Sequence, residues 1–491
     1  MLKKIIAPIA SLFNIGHAKT SFEGASQSPR LRGKGTQRGN INTQLSSELI
    51  TLQSRSRHAC KNNPWAGSAS DGYVTTLIGT GLIPRWQIEN KELGKQLQKE
   101  WNKWAKEADA DGRTNFAGLQ SLAARTQFES GEVLIRFRPR RLTDSLNVPL
   151  QLQILPPDQL RHDLNIRLSP TRKVVMGIEL NGIGKRTAYH IYKEPPGNPL
   201  ETNVDSIRVN ANQILHVFES FAPGQMRGYP MLSRVLARLY ELDEYEDAEL
   251  VRKKAAAMFA AFVTKTPDDN YEFEGMDQPE DSEGNQLIGI QPGAIHYMEP
   301  GESVDFSSPA DVGSNYTAWI TQQLRGIAAG IGITYETLTG DLSQVNYSSI
   351  RAGLMTFRRR VEALQQTMII HQFCQPVIER WLDMAVASGR VNIPDYLENR
   401  DEYTRIKWIA PAWLQVDPLK AVQADKLELE AGLATKTEKL AERGRDIEDF
   451  AAELEAEEEI LPKPEPIPNE VIEVDEEDKK PNEKAKKPDG E

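Results

Sequence analysis

The sequence predicts an α+β fold, and two changes of period with one change of composition carry that prediction. From about Leu45 to Gly131 apolar residues recur at helical spacing, and from Glu132 to Phe218 they alternate in short β-branched runs. Helical spacing resumes at Pro230. After about Glu453 the composition turns acidic and low-complexity.

At 491 residues, 39% hydrophobic and 26% charged, the chain can bury at least one large core and form two or three domains. No apolar run reaches the roughly 18 residues of a membrane span, so no membrane partner is expected. Cys60 and Cys374 are far apart and form neither a disulfide framework nor a paired metal motif, which suits a reducing compartment. The opening "MLKKIIAPIASLF" has two lysines before an apolar run, as a signal peptide would. The run is short, Pro8 interrupts it and no A-x-A site follows, so a short amphipathic arm is expected instead. The net charge of −11 is uneven: residues 1–60 hold only Glu23 and Glu48 as acids, whereas Asp and Glu dominate the C-terminal end. A sequence-reading DNA binder would be basic overall, and this chain is not.

In chain order, residues 20–42 are rich in Gly, Ser, Gln and Arg and predict a mobile arm. The Asn63–Pro64 pair breaks the first helix, with Pro64 suited to open the next, "PWAGSASDGYVTTLIG". "KELGKQLQKEWNKWAKEA" and "NFAGLQSLAARTQFESG" follow as amphipathic helices ending at polar or glycine clusters. "EVLIRFRP", "LQLQILPP", "KVVMGIEL", "TAYHIYKE" and "QILHVFES" read as strands. Helical spacing from Pro230 to about Val263 would make a helix of roughly 50 Å at 1.5 Å per residue. That length suggests a strut, with a core helix of a large domain as the alternative. Residues 266–310 are polar with short strands such as "GAIHYMEP", and "SNYTAWITQQLRGIAAGIG" returns to helix. A polar loop from Gly340 to Ser349 precedes a helix from Ser348 to Gly389, where Pro376 predicts a kink. "RIKWIAPAW" reads as a strand, and "DPLKAVQADKLELEAGL" as a helix opened by Asp417 and Pro418.

The usual chemical signatures are missing. "GIGKRT" has Glu179 where a phosphate-binding loop needs its first glycine, and Arg186 where it needs Ser or Thr. "GTGLIP" and "GIGITY" lack the third glycine of a dinucleotide loop. The seven histidines form no HExxH, and no GxSxG elbow occurs. The carboxylates of "YELDEYEDAEL" fall at helical spacing and read as a solvated face. No catalytic residue, metal or cofactor is expected, and the chain is read as no enzyme.

Several stretches nevertheless resemble one family. "RSRHACKNNPWAGSASDGYVTTLIGTGLIP", "ILPPDQL", "AYHIY" and the long segment from "ILHVFESFAPGQMRGYPMLSRVLARLYELDEYEDAEL" are similar to the lambda-like portal proteins of tailed bacteriophages. So are the segment from "YMEPGESVDFSSP" through "GIGITYETLTGDLSQVNYSSIRAGLMTFRRRVEAL" to "QPVIERWL", and "EAGLATKTEKLAERGRDIEDF". "LQVDPLK" stands where the family has WVDPLK. The resemblance runs from about residue 45 to 455, interrupted mainly at 266–290.

The resemblance implies a portal-protein fold with an α+β wing, long stem helices, a small clip, a helical crown and disordered termini. On this chain that gives a basic N-terminal arm at 1–44 and wing at 45–229. Stem helices would lie at 230–265 and 311–333, on either side of a clip at 266–310. The tunnel loop and long wing helix would occupy 334–416, the crown 417–455 and an acidic disordered tail 456–491. It further implies a homo-oligomeric ring, commonly of twelve subunits, at one vertex of the virion capsid, assembled in the host cytoplasm. Double-stranded DNA would pass through it without sequence specificity. Terminase large subunit, head–tail connector proteins, and major capsid and scaffold proteins would be its partners. The loop residues Gly340, Asp341, Ser343, Gln344, Asn346, Tyr347 and Ser348 would face the channel. Small polar tips there can touch phosphates without the ion pairs that would hold DNA in place. Arg351, Arg358, Arg359 and Arg360 are candidates for a subunit interface or for DNA proximity, against the plainer reading of solvated or internally paired arginines. A protein-only head–tail adaptor without a DNA channel is the alternative function, and an enzyme of unknown class stands third.

Overall fold

The computed structural model describes residues 39–197, 205–257, 261–265, 302–306, 315–343, 347–413 and 418–460. The polypeptide opens with α1 (Ile41–Asn62), which starts where the Asn40 side chain accepts the Asn42 N–H. Asn63 then ends one helix and caps the next: its side-chain oxygen accepts the N–H groups of Trp65 and Ala66 at 3.1 Å each. Pro64 follows as the first residue of α2 (Pro64–Leu77), where no N–H is needed. Strand β1 (Ile83–Trp86), α3 (Lys91–Trp104) and α4 (Phe116–Ser130) complete the helical part, and Gly131 at φ +86° stops α4.

The β-rich part comprises β2 (Glu132–Pro139), β3 (Leu150–Leu155), β4 (Ile166–Ser169) and β5 (Arg172–Val175), then β6 (Ile178–Leu180), β7 (Arg186–Tyr192), β8 (Ser206–Asn210) and β9 (Ile214–Phe218). They form two antiparallel sheets, β3-β2-β9 and β4-β5-β6-β7-β8. "KVVMGIEL", read as one strand, is a hairpin that turns at Met176 and Gly177, both at positive φ. Gly177 is needed there, because a Cβ would come within 2.5 Å of the Arg161 carbonyl oxygen.

The second helical part holds α5 (Leu236–Ala257), β10 (Ala261–Lys265), β11 (Glu302–Phe306), α6 (Asn315–Ile331), α7 (Tyr335–Thr339) and α8 (Tyr347–Leu364). After a π-helical stretch at Gln365–Cys374 come α9 (Gln375–Ala387), α10 (Arg400–Tyr403), β12 (Ile406–Ile409), α11 (Pro418–Glu430), α12 (Lys436–Glu442) and α13 (Ile447–Ile460). β12 pairs with β1 across more than three hundred residues of chain, with Ile83 opposite Ile409.

Several boundaries depart from the sequence reading. The arm expected at 1–44 loses its last residues to α1, and residues 1–38 lie outside the described ones. The helix expected to reach Val263 ends at Ala257, so it spans roughly 33 Å. Ala261–Lys265 instead pairs with β11, a state that its Phe262, Val263 and Thr264 favour. Pro376 ends a π-helical stretch in which the Gln375 N–H bonds the Ile370 carbonyl, five residues back. The wider turn there brings the ring, which has no N–H, to the start of α9. Helix α13 runs on to Ile460, past the start of the tail expected at 456. Glu457, Glu458 and Glu459 crowd its last turn, yet Ala451, Ala452, Leu454 and Ala456 are good helix formers. "GAIHYMEP", most of the clip at 266–310, Asp417 and the tail from 461 lie outside the described residues.

The main core is aromatic at its centre. Trp86, Trp101, Trp104 and Trp381 cluster with Phe116 and Phe373, with ring centroids 4.8–6.4 Å apart. Trp104 donates its indole N–H to the Leu150 carbonyl at 2.7 Å, and Trp86 to the Tyr403 carbonyl at 3.1 Å. Both donors are therefore satisfied as their rings leave water. This cluster welds α3 and α4 to the π-helical stretch and α9, and it supports the segment from α6 to α8.

Candidate loop site and its supporting shell

The polar loop is built by caps at both ends of a five-residue helix. Gly332, at φ +84°, ends α6, and the Thr334 hydroxyl accepts the Thr337 N–H at 3.1 Å to begin α7. Gly340 closes α7 in the left-handed conformation, its N–H reaching the Glu336 carbonyl at 2.8 Å. Asp341 then organises the tip: its carboxylate accepts the Ser343 N–H at 2.9 Å and the Tyr335 hydroxyl at 3.3 Å. The Ser343 bonds, with the Tyr335 hydroxyl, hold the Asp341 carboxyl below its ordinary range. Leu342 and Ser343 are exposed, and nothing lies within 4 Å of where a Cβ on Gly340 would stand.

Behind the tip the loop is fixed to α2. The Ser68 hydroxyl donates to the Leu338 carbonyl at 2.6 Å, Leu338 is fully buried, and a Cβ on Gly72 would approach Thr337 Cγ2 to 2.9 Å. Of the expected channel residues, the structure thus brings Gly340, Asp341 and Ser343 together in one hydrogen-bonded turn. Gln344 and Asn346 lie outside the described residues. Tyr347 and Ser348 belong to the first turn of α8, so the loop is shorter than Gly340–Ser349.

The arginines of α8 do not act as a block. Arg358 stacks over the Trp413 ring at 5.0 Å. Arg360 reaches back to the end of α6, where a Cβ on Gly332 would collide with its guanidinium. Burial raises the Glu219 carboxyl pKa, and Arg360 and Arg234 oppose that rise. Only Arg359 of the three is exposed. Arg351 occupies the second turn of α8.

Sequence reasoning missed a fully buried charged cluster. Glu132, the first residue of β2, accepts Arg227 Nε at 2.7 Å on one oxygen and meets His216 Nε2 at 2.9 Å on the other. The Gly228 N–H adds a bond at 2.8 Å, and Gln53 on α1 another at 3.3 Å. Burial alone would push the Glu132 carboxyl up, but the Arg227 charge and the His216 hydrogen bond outweigh it and hold the pKa at about 2. Burial lowers His216 to about 4, so at neutral pH the imidazole is an uncharged donor and Arg227 is the countercharge. Beneath the cluster two backbones touch: a Cβ on Gly228 would lie 2.1 Å from the Gly131 oxygen, and one on Gly131 would lie 2.0 Å from the Tyr229 carbonyl carbon. The cluster therefore clamps the chain at its passage from β-sheet to α5. A charged residue heading the apolar run Val133–Ile135, directly after a helix-stopping glycine, was the available signal.

The chain is similar to known proteins. Residues 27–365 match the family described as "Phage portal protein, lambda family". The "Probable portal protein" of Halomonas phage phiHAP-1 is 26% identical over 419 residues, covering 81% of this chain and 78% of the relative. "Portal protein B" of Escherichia phage lambda is 21% identical over 478 residues, covering 88% and 87%. Among solved structures, a chain of the "Virion of native gene transfer agent (GTA) particle" aligns at 15% identity with a TM-score of 0.43, over 81% of this chain and 93% of that one.

Proposed function

The chain belongs to the lambda family of phage portal proteins, and from that premise we propose that it forms the ring at one capsid vertex through which double-stranded DNA is packaged and ejected. In this reading α5 and α6 are stem helices, α11 to α13 the crown, and Gly340–Asn346 the loop that meets the DNA. The wing comprises α1 to β9 together with α8 and α9. Terminase and head–tail connector proteins would dock on the 266–310 side, and the ring would hold twelve subunits.

The observation that carries the reading is the family match, which spans the sheets, α5, α6 and the whole loop. The surface supports a repeated assembly. Helices α11 and α12 bury no side chain within the chain, yet Leu419, Val422, Leu427 and Leu433 stand exposed on and beside them. Leu250, Val251 and Trp319 are likewise exposed on α5 and α6. A ring neighbour would cover such faces at every junction. The loop tip suits passage of DNA, since its one described charge, Asp341, repels phosphate and its other residues, Leu342 apart, are small or polar.

Imaging of the purified protein should show closed rings with a central channel. Heads assembled with a chain lacking Ser343–Asn346 should keep their rings and package or retain DNA poorly. Normal DNA content in such heads would instead favour an adaptor that contacts only protein. A strictly monomeric protein at high concentration, across salt conditions, would overturn the ring.

A further inference from the structure

We propose that a basic groove between α3, β1 and α13 is a docking site for the acidic segment Glu470–Asp478 of the same chain. The inference is independent of the portal reading. The groove encloses about 800 Å³. Lys91, Lys95 and Lys99 follow one another at four-residue intervals along the side of α3 that lines it, and Lys106 continues the row beyond the helix end. All four are exposed, and among the described residues none has an ion pair. Lys103 in the same row is paired with Glu100 at 2.7 Å, and Lys407 on β12 lies near Glu438. Of the groove's own acids, Asp446 and Asp449 engage Arg85, which leaves Glu448 on the opposite wall. Like charges four residues apart on a helix repel by a few tenths of a kcal/mol each, so the row is a strain that an anion would relieve.

The occupant follows from what lies next in the chain. Helix α13 is one wall of the groove, through Ile447, Glu448, Asp449 and Ala452, and it ends at Ile460. Ten residues on, "EVIEVDEED" places six carboxylates within nine positions, Glu470 to Asp478. The groove-lining part of α13 lies roughly 12–20 Å back from Ile460 at 1.5 Å per residue. The intervening nine residues, with Pro462, Pro464, Pro466 and Pro468, can span roughly 28 Å at about 3.1 Å each. The segment therefore reaches the groove. Tethering gives it an effective concentration on the order of millimolar, which favours it over a free polyanion of similar charge density.

The test compares the full chain with a full-length variant carrying E470Q, E473Q, D475N, E476Q, E477Q and D478N. Amine labelling followed by mass spectrometry, at low ionic strength, reads Lys91, Lys95, Lys99 and Lys106, with the exposed Lys173 on β5 as the control. Labelling of the four should rise about three- to tenfold in the variant, while Lys173 stays constant, as expected for several weak pairs acting together. The unaltered chain should reach the same level in 1 M salt, where the Debye length falls to about 3 Å. A synthetic peptide covering residues 465–480 should restore protection to a chain ending at Ile460. Equal, high labelling of both full-length proteins would overturn the proposal. Equal, low labelling would also overturn it, assigning the groove to a ring neighbour. Protection that appears in both only when duplex DNA is added would overturn it in favour of nucleic acid.

Discussion

Glu132 and Arg227 form an ion pair with no access to solvent, at the point where the chain leaves its sheets for α5. Neither charge could be buried alone. Their partners come from four places in the sequence: Gln53 on α1, Glu132 on β2, His216 on β9 and the Arg227–Gly228 segment. The pair is therefore a joint between elements.

Removing one partner should be costly. Arg227→Met leaves the Glu132 carboxylate uncompensated in an apolar surrounding and should destabilise the fold by about 3–5 kcal/mol. Adding Glu132→Gln should recover part of that loss, because no charge is then stranded. Chemical denaturation of the single and double variants measures both. A double variant no more stable than the single would contradict the ion-pair account.

Stability should fall on mild acidification. His216 is lowered from 6.5 to about 4, so between those values the unfolded chain binds a proton that the folded one refuses. Its contribution is fully present above pH 6.5, is lost progressively as pH falls, and amounts to about 3 kcal/mol by pH 4. Glu132, held at about 2, stays ionised throughout that window and begins to add its own loss only below pH 4.5. Unfolding midpoints of His216→Gln should show a shallower slope between pH 6.5 and 4, with His162 and His190, which burial also lowers, adding to what remains.

Two glycines in the left-handed conformation should respond differently to alanine. At Gly340 the space is open, so Gly340→Ala should cost only the backbone strain of about 1 kcal/mol. At Gly131 the added methyl would fall on the Tyr229 backbone, so Gly131→Ala should lower the yield of folded protein or cost more than about 3 kcal/mol. Expression and thermal unfolding of the pair check the contrast.

The arginines of α8 should separate by role. Arg360→Ala leaves Glu219 half-buried without its strongest opposing charge and should destabilise the individual subunit by about 1–3 kcal/mol. Arg359→Ala changes an exposed side chain and should leave subunit unfolding within about 0.5 kcal/mol. If Arg359 bridges neighbours, ring yield should fall in that variant alone. Light scattering beside thermal unfolding distinguishes the two effects.

What the sequence determined by itself was local and periodic. The Asn63–Pro64 break, the Gly131 stop, the strands from Glu132 and the turn at Gly340 each depend on a few adjacent residues whose backbone preferences are strong. The family was legible because long stretches, loop included, keep their residues in order. Tertiary structure decided the rest. Whether Ala261–Lys265 is helix or strand depended on β11 pairing with it, some forty residues away. Whether the Arg358–Arg360 triplet forms one basic face depended on Trp413, Gly332 and Glu219, all distant in sequence. The Glu132–Arg227–His216 cluster has no spacing signature, because its members meet only when the sheets and α1 close over them. Caps and periodicity are set by neighbours along the chain, whereas burial and pairing of charge are set by what folding brings across it.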